Sequence, residues 1–201
     1  MKMNQIKCII FDFGGVLISE KIEPVFKEAN KILGKKAFVR LGKLHDTALK
    51  GRISTAEHYR FLSKETGVSP KLLRKTFTQA YLKIMKPNKN TIKIVKRLKQ
   101  KGYNVAILSN TTEMVKIINK KYNIFQIFYP NIFSCDVGYM KPQKEIFISL
   151  LKRAKMKPEE CMYIEDRKEF LATPRMLGIK TLHFKNSLKL EKDMRKLGVI
   201  L

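Results

Sequence analysis

The chain has 201 residues, of which 44% are hydrophobic by type, and a formal net charge of +25. This length suits one substantial core with, at most, a small accessory domain. No apolar run reaches the roughly 20 residues that span a bilayer. The N-terminus leads directly into a predicted core strand and does not resemble a signal peptide. We therefore expect a cytoplasmic protein without membrane contact. The basic residues are spread along the chain, and no nucleic-acid-binding module is recognisable, so no specific nucleic-acid partner is predicted.

The first predicted element is a short strand that ends at an acid. Cys8 to Phe11 is wholly apolar, and Asp12 follows it directly. Gly14 and Gly15 then allow a tight turn and a close approach to a ligand. An ionised carboxylate at the end of a buried strand is costly unless something pairs with it. Asp12 is therefore a candidate nucleophile or metal ligand.

A helical block follows this strand. The pattern predicts four helices, Pro24–Leu33, Ala37–Leu49, Ser54–Thr66 and Ser69–Lys86. Ser54 and Ser69 are good N-cap residues, and Glu57 completes a capping box with Ser54. These features indicate a small helical bundle inserted after the first strand, over residues 18–87.

Helices and strands alternate from residue 88 onward. The predicted elements are the helices Thr91–Lys101, Met114–Tyr122, Lys144–Ala154 and Leu171–Leu177, and the strands Asn104–Leu108, Ile132–Ser134, Met162–Ile164 and Thr181–Phe184. This alternation is typical of an α/β fold with a doubly wound, Rossmann-like parallel sheet. We expect residues 1–17 and 88–201 to form this core and residues 18–87 to form a helical cap domain.

Polar side chains follow four of the predicted strands. They are Asp12 after the first, Ser109 and Asn110 after the second, Lys141 beyond the third, and Glu165 with Asp166 after the fourth. Parallel sheets bind ligands at the carboxyl ends of their strands. Carboxylates suit a hard divalent cation, while lysine and Ser/Asn donors suit phosphate oxygens. Singly, each motif is more often structural; together they favour phosphoryl transfer, in which positioning and charge neutralisation supply most of the catalysis.

These motifs resemble the haloacid dehalogenase-like (HAD) hydrolase superfamily. The resemblance rests on Phe11-Asp12-Phe13-Gly14-Gly15-Val16-Leu17, Leu108-Ser109-Asn110-Thr111, Lys141-Pro142 with Ile146-Phe147, and Ile164-Glu165-Asp166, in the family's order and with a cap after the first motif.

The resemblance implies a mechanism and a cofactor. Asp12 would attack a phosphoryl group to form an aspartyl-phosphate. Ser109, Asn110 and Lys141 would bind the substrate's phosphoryl group, and Lys141 would also act in catalysis. A Mg²⁺ ion would be held by Asp12, Asp166, the backbone carbonyl of Gly14 and the neighbouring Glu165.

Two motifs depart from the family's pattern, the first at Gly14 and the fourth at Phe170 and at Glu165, which replaces the more common aspartate. Gly14 stands where its phosphatases usually carry a second aspartate, the general acid–base, whose loss typically costs about 10²–10⁴-fold in rate. Phe170 stands where an acidic or amide side chain usually supports the metal site. Glu20, His45 and Asp46 are weak candidates to replace the missing acid.

Three functions follow from these observations. The leading one is a Mg²⁺-dependent phosphatase of a small phosphorylated metabolite, with the basic surface steering anions. A second is a haloacid dehalogenase, which has little use for Glu165 and Asp166 because they would repel a carboxylate substrate. A third is an impaired family member that binds a phosphorylated ligand or an acidic partner without turnover. The sequence leaves the oligomeric state open and is compatible with a monomer.

Overall fold

The computed structural model describes residues 5–18, 23–33 and 44–201. Its strands are β1 Cys8–Phe11, β2 Asn104–Ser109, β3 Asn131–Phe133, β4 Cys161–Glu165 and β5 Lys180–His183. They form one sheet in the order β3-β2-β1-β4-β5, and every pair of neighbours is parallel. The predicted doubly wound α/β fold is therefore confirmed. Strand order reverses at β1, which puts its carboxyl end at the place where such sheets bind ligands.

Helices cover both sides of this sheet. The helical block comprises α1 Glu23–Leu33, α2 over 44–49, α3 Thr55–Thr66 and α4 Pro70–Ile84; the remaining helices are α5 Lys89–Gln100, α6 Glu113–Asn119, α7 Ser134–Val137, α8 Lys144–Ala154, α9 Ala172–Met176 and α10 Ser187–Lys196. Short 3₁₀ turns lie at Lys120–Tyr122, Ile124–Ile127, Pro158–Glu160 and Lys168–Phe170. Residues 37–43 of the helix predicted over Ala37–Leu49 lie outside the described residues.

The predicted helix caps in the block are confirmed. The Ser54 hydroxyl accepts the Glu57 backbone N–H at 3.2 Å, and the Glu57 carboxylate accepts the Ser54 N–H at 2.7 Å. Ser69 caps α4 by accepting the N–H of Leu72. Each contact satisfies a backbone donor that the first helical turn cannot pair internally. The local sequence therefore fixes where α3 and α4 begin.

The structure differs from the predictions at two places. Ser134 does not end a strand but begins α7, where its hydroxyl accepts the Thr111 N–H at 3.0 Å. α10 was not predicted, because its ten residues are mostly charged and only Leu190 and Met194 are buried. A helix with so narrow an apolar stripe gives a weak periodic signal.

The core lies on both faces of the sheet. Ile9 and Phe11 belong to a large apolar cluster that extends into the helical block, where it includes Leu62 and Phe77. Ile10 faces the opposite side and packs in a second cluster with residues of α8. Because β1 is buried on both faces, every residue in its sequence is apolar. None of the described helices has the length and apolar character needed to cross a membrane.

The helical block leaves and rejoins the sheet-bearing part at one place. Ile18 pairs with Pro87 in an isolated antiparallel bridge, and the Asn88 N–H donates to the Leu17 carbonyl at 2.8 Å. We propose, on this ground, the division into a core of 1–17 and 88–201 and a cap of 18–87. The block contacts the sheet-bearing part at α3, where the Thr55 N–H and hydroxyl each lie 2.8 Å from one Glu113 carboxylate oxygen.

Candidate active site

The register of the sheet brings Asp12 and Glu165 to the same edge. Phe11 on β1 is level with Ile164 on β4, and the Asp12 N–H extends the ladder by donating to the Ile164 carbonyl at 2.9 Å. The residues that follow Phe11 and Ile164 are therefore adjacent. Because β1 and β4 are parallel, both carboxylates lie at the carboxyl edge of the sheet, as predicted.

Lys141 lies between these two carboxylates. Its ammonium is 2.7 Å from Asp12 Oδ1 and 2.6 Å from Glu165 Oε2. The three side chains are nearly or wholly inaccessible to solvent, with Lys141 only 2% exposed. Buried charges are tolerated when they are paired and hydrogen-bonded in this way. The structure thus unites three of the predicted site residues in one buried ionic cluster.

Asn110 holds the backbone of Lys141. The Lys141 N–H donates to Asn110 Oδ1 at 2.7 Å, and Asn110 Nδ2 donates to the Lys141 carbonyl at 3.0 Å. Asn110 directly follows Ser109, the buried last residue of β2. The sequence assigned the Asn110 side chain to the substrate, whereas here both ends of its amide engage the main chain of the lysine. Asn110 therefore places Lys141 at the end of β2.

A serine that was not predicted holds the loop after β2. Ser134 Oγ accepts the Thr111 N–H at 3.0 Å and donates to the Thr111 carbonyl at 3.2 Å. Thr112 then caps α6. These contacts fix the path of the chain directly after Asn110. No sequence motif distinguishes Ser134 from a strand residue, so its contact with β2 emerges only in the folded chain.

The carboxylates of Asp12, Glu165 and Asp166 could hold a cation. Each offers one oxygen, and these oxygens all lie within 4.8 Å of one another. The backbone carbonyl of Asp166 is anchored by the His183 ring at 2.9 Å. A group of hard oxygen donors fits Mg²⁺ better than it fits a soft transition metal. Gly14, whose carbonyl was also predicted as a ligand, lies in the turn directly after Asp12 and Phe13.

The turn after Asp12 comes so close to Asp166 that only glycine fits at residue 15. Gly15 has a φ of +80°, and a Cβ built there would lie 2.6 Å from Asp166 Oδ2. A Cβ built on Gly14 meets nothing within 4 Å. The two adjacent glycines therefore play different parts, since Gly15 is required by backbone conformation and by space.

We expect Gly15→Ala to destabilise the protein by about 1–3 kcal/mol, the usual cost of a residue held in an unfavourable backbone region. The new methyl group would also displace the Asp166 carboxylate. Urea unfolding followed by circular dichroism measures the first effect. Gly14→Ala is the stability control and should change the unfolding free energy by less than about 1 kcal/mol. Equal losses in the two variants would contradict this assignment.

The buried cluster shifts the pKa values of its members. Burial raises the pKa of Asp12 to about 7, with Glu165 adding to the rise and Lys141 opposing it. Burial alone would raise the pKa of Glu165, but Lys141 and hydrogen bonds hold it below its ordinary value. Burial alone would lower the pKa of Lys141, but the two carboxylates raise it. Lys141 therefore remains an ammonium and Glu165 a carboxylate at neutral pH.

Two aromatic residues that were not assigned to the site enclose Lys141. The Tyr163 hydroxyl accepts a hydrogen bond from the ammonium at 3.0 Å and donates one to Glu165 Oε2. The Phe170 ring lies 5.1 Å from the same ammonium and 4.6 Å from the Arg167 guanidinium, both within cation–π range. The sequence could have indicated Tyr163, because it lies two residues before Glu165 on the same strand, and residues two apart on a strand point to the same face.

The candidates for the missing acid come from residues 18–87 of the sequence. Glu20 is outside the described residues. His45 is on α2, where its ring lies 6.3 Å from that of Phe26. Burial lowers the pKa of His45. Asp46 is exposed on the same helix. Their role as the acid stays a prediction.

Comparisons with known proteins identify the family of the chain. A sequence model of the haloacid dehalogenase-like hydrolase family matches residues 6–169. The chain is 26% identical over 194 residues to the D-ribitol-5-phosphate phosphatase of Bacteroides thetaiotaomicron, covering 90% of this chain and 93% of that protein.

Two solved structures share the fold. A HAD-like family hydrolase from Porphyromonas gingivalis matches with a TM-score of 0.80 at 23% identity, covering 98% of this chain and 100% of that one. A HAD family enzyme from Bacteroides thetaiotaomicron, solved with magnesium and inorganic phosphate, matches with a TM-score of 0.78 at 24% identity, covering 90% and 95%.

Proposed function

Because the chain belongs to the haloacid dehalogenase-like hydrolase family, we propose that it is a Mg²⁺-dependent phosphatase of a small phosphorylated metabolite. The observation that carries this proposal is the Lys141 ammonium bridging Asp12 and Glu165 at the carboxyl edge of the sheet. Such an edge offers a nucleophile, a fixed positive charge and further acids within a few ångströms. Phosphoryl transfer needs that combination of positioning and charge neutralisation.

Asp12 is the proposed nucleophile. One of its carboxylate oxygens attacks the phosphorus while the bond from phosphorus to the leaving oxygen breaks. The leaving oxygen keeps the electron pair and takes up a proton from solvent water. Water then attacks the phosphorus of the aspartyl-phosphate, which releases phosphate and restores Asp12. Asp12 sits at the end of a rigid central strand, so its approach to the substrate is well defined.

Lys141 and Ser109 are the proposed phosphoryl-binding residues, and Asn110, predicted for the same role, is proposed to position Lys141. The Lys141 ammonium offsets the charge on the transferring group, where a preorganised donor in a buried site is most effective. Ser109 ends β2 beside this cluster and offers a hydroxyl. The Asn110 side chain acts through the main chain of Lys141, to which it is hydrogen-bonded at both ends.

Asp12, Asp166 and the Gly14 carbonyl are the proposed Mg²⁺ ligands. When bound, the ion would neutralise phosphate charge and polarise a phosphoryl oxygen. Glu165 is the third carboxylate of the group, but its oxygens already accept hydrogen bonds from Lys141, Tyr163 and the Arg167 N–H. We therefore assign Glu165 chiefly to holding Lys141, with a lesser part in binding the cation.

The proposal is tested by a screen of sugar phosphates, nucleotides and small phosphoesters, with Mg²⁺ and with a chelator. We expect phosphate release that requires the metal. A parallel assay with 2-chloropropionate and no metal addresses the dehalogenase alternative, which the adjacent acids Glu165 and Asp166 disfavour. Halide release, or stabilisation by Mg²⁺ and beryllium fluoride without any turnover, would overturn the proposal, and the latter result would identify a binding protein.

Gly14→Asp should increase the rate of this reaction. The position has open space for a side chain, and an acid there could protonate the leaving oxygen and activate water. General acid–base help is worth about 10²–10⁴-fold when well placed, so we expect kcat to rise by about tenfold or more. Gly14→Asn is the matched control, since asparagine has a similar shape but transfers no proton. Equal kcat values for the two variants would contradict the prediction.

A further inference from the structure

Tyr163 is the one tyrosine, among the described residues, whose hydroxyl bonds to the Lys141 ammonium. It lies inside β4 and is fully buried. Its hydroxyl accepts from Lys141 Nζ at 3.0 Å and donates to Glu165 Oε2, while Lys141 Nζ also donates to that same oxygen at 2.6 Å. The three groups therefore form a closed triangle of hydrogen bonds.

This triangle restrains a side chain that is otherwise flexible. Lysine carries a compact charge on a four-carbon stem with several rotatable bonds. The two carboxylates take two of the three hydrogen-bond donors of the ammonium, at 2.7 Å and 2.6 Å. The Tyr163 hydroxyl adds a third, fixed oxygen, because the tyrosine ring is itself held by an edge-to-face contact with Phe147 at 5.6 Å. A rigid ring thus defines where the ammonium sits.

The aromatic ring at position 170 gives the ammonium no hydrogen-bond acceptor. Phe170 offers the ammonium an aromatic face at 5.1 Å but no oxygen. A carboxylate or amide at that position could accept a hydrogen bond, and phenylalanine cannot. Tyr163, on β4, supplies an oxygen acceptor to the same lysine.

We propose that Tyr163 is a positioning residue that fixes the Lys141 ammonium in the place required for phosphoryl transfer. The inference rests on the proposed function, since the lysine is assigned to the transferring group. Misplacing a charged group by about 1 Å can cost on the order of 10²-fold in rate. The cost should fall on kcat, because the charge on the phosphoryl group and the leaving oxygen changes most in the transition state.

Tyr163→Phe tests the proposal by removing one oxygen while keeping the ring and its contact with Phe147. We expect kcat to fall by about 10- to 100-fold, with KM changed by less than about threefold. Tyr81→Phe is the matched control: Tyr81 is also buried, and its hydroxyl accepts a hydrogen bond at 2.5 Å from Asn119 of α6, at a contact between the helical block and the sheet-bearing part. The Tyr81→Phe variant also loses a buried hydrogen bond, but its kcat should stay within about twofold of the wild-type value.

Two results would overturn the inference. One is a kcat for Tyr163→Phe within about twofold of the wild-type value, and the other is an equal fall in both variants, which would indicate a general structural effect.

A second measurement separates this inference from the proposed function. If the wild-type protein hydrolyses no phosphoester, the proposed function alone is contradicted. The inference is then tested by the rise in unfolding temperature that Mg²⁺ and beryllium fluoride cause. Tyr163→Phe should lose at least about half of the wild-type shift, since the fluoride complex requires the same lysine; an undiminished shift would refute it.

Discussion

Asp12→Asn is expected to lower kcat for phosphoester hydrolysis by about 10⁴-fold or more, because the proposed nucleophile is lost. Removing a single nucleophile that works in a coupled group typically costs 10⁴–10⁶-fold. Asparagine keeps the size of the side chain, and Lys141 keeps Glu165 as a partner at 2.6 Å. The variant should therefore fold, so the effect can be read as chemistry and not as unfolding.

The measurement is steady-state phosphate release on the best substrate from the screen, with circular dichroism to verify folding. Asp193→Asn makes the same chemical change on α10, where Asp193 pairs with the exposed Lys189 at 3.0 Å. Its kcat should match that of the wild type within about twofold, since surface pairs contribute little. Metal-dependent turnover that persists in Asp12→Asn would remove Asp12 as the nucleophile.

Lys141→Met is expected to destabilise the protein by about 3–5 kcal/mol and to lower kcat by about 10²–10³-fold. The ammonium is the shared partner of two buried carboxylates, and removing one side of a buried ion pair leaves an uncompensated charge. Methionine fills much of the stem's volume, so the loss reports mainly on charge. The fall in kcat is the usual cost of one lost transition-state donor.

Urea unfolding gives the free energy, and the same phosphate assay gives kcat. Lys83→Met is the control, because Lys83 pairs with Glu28 at 2.6 Å but has a side chain that is 69% exposed. Exposed pairs are worth about 0–1 kcal/mol, so this variant should be nearly neutral. A loss of less than about 1 kcal/mol for Lys141→Met would mean that the cluster does not depend on its lysine.

The two departures from the family's pattern have different structural meanings. A Cβ on Gly14 would meet nothing within 4 Å, so the turn after Asp12, the proposed nucleophile, has room for a larger residue at this position. Phe170, by contrast, makes contacts in the site, since its ring lies within cation–π range of both the Lys141 ammonium and the Arg167 guanidinium. A change at residue 14 should therefore alter the chemistry, whereas a change at residue 170 should also disturb the position of the lysine.

The sequence by itself determined the fold class and where most elements lie. Apolar strands ending in polar residues, helix caps such as Ser54, and the alternation after residue 88 are local patterns, and local patterns are readable along the chain. They placed Asp12, Lys141 and Asp166 at the ends or beyond the ends of strands, which is where the structure has them. The sequence did not predict the C-terminal helix α10, because only Leu190 and Met194 are buried on it.

Only the tertiary structure decided which side chains are partners. The register of β1 against β4 made Asp12 and Glu165 neighbours, and the return of the chain after β3 directed Asn110 onto the main chain of Lys141. The hydrogen bonds of Tyr163 with Lys141 and Glu165 arise in the same way. Such contacts join residues far apart in the chain, and their geometry follows from strand pairing and packing, which no local periodicity encodes.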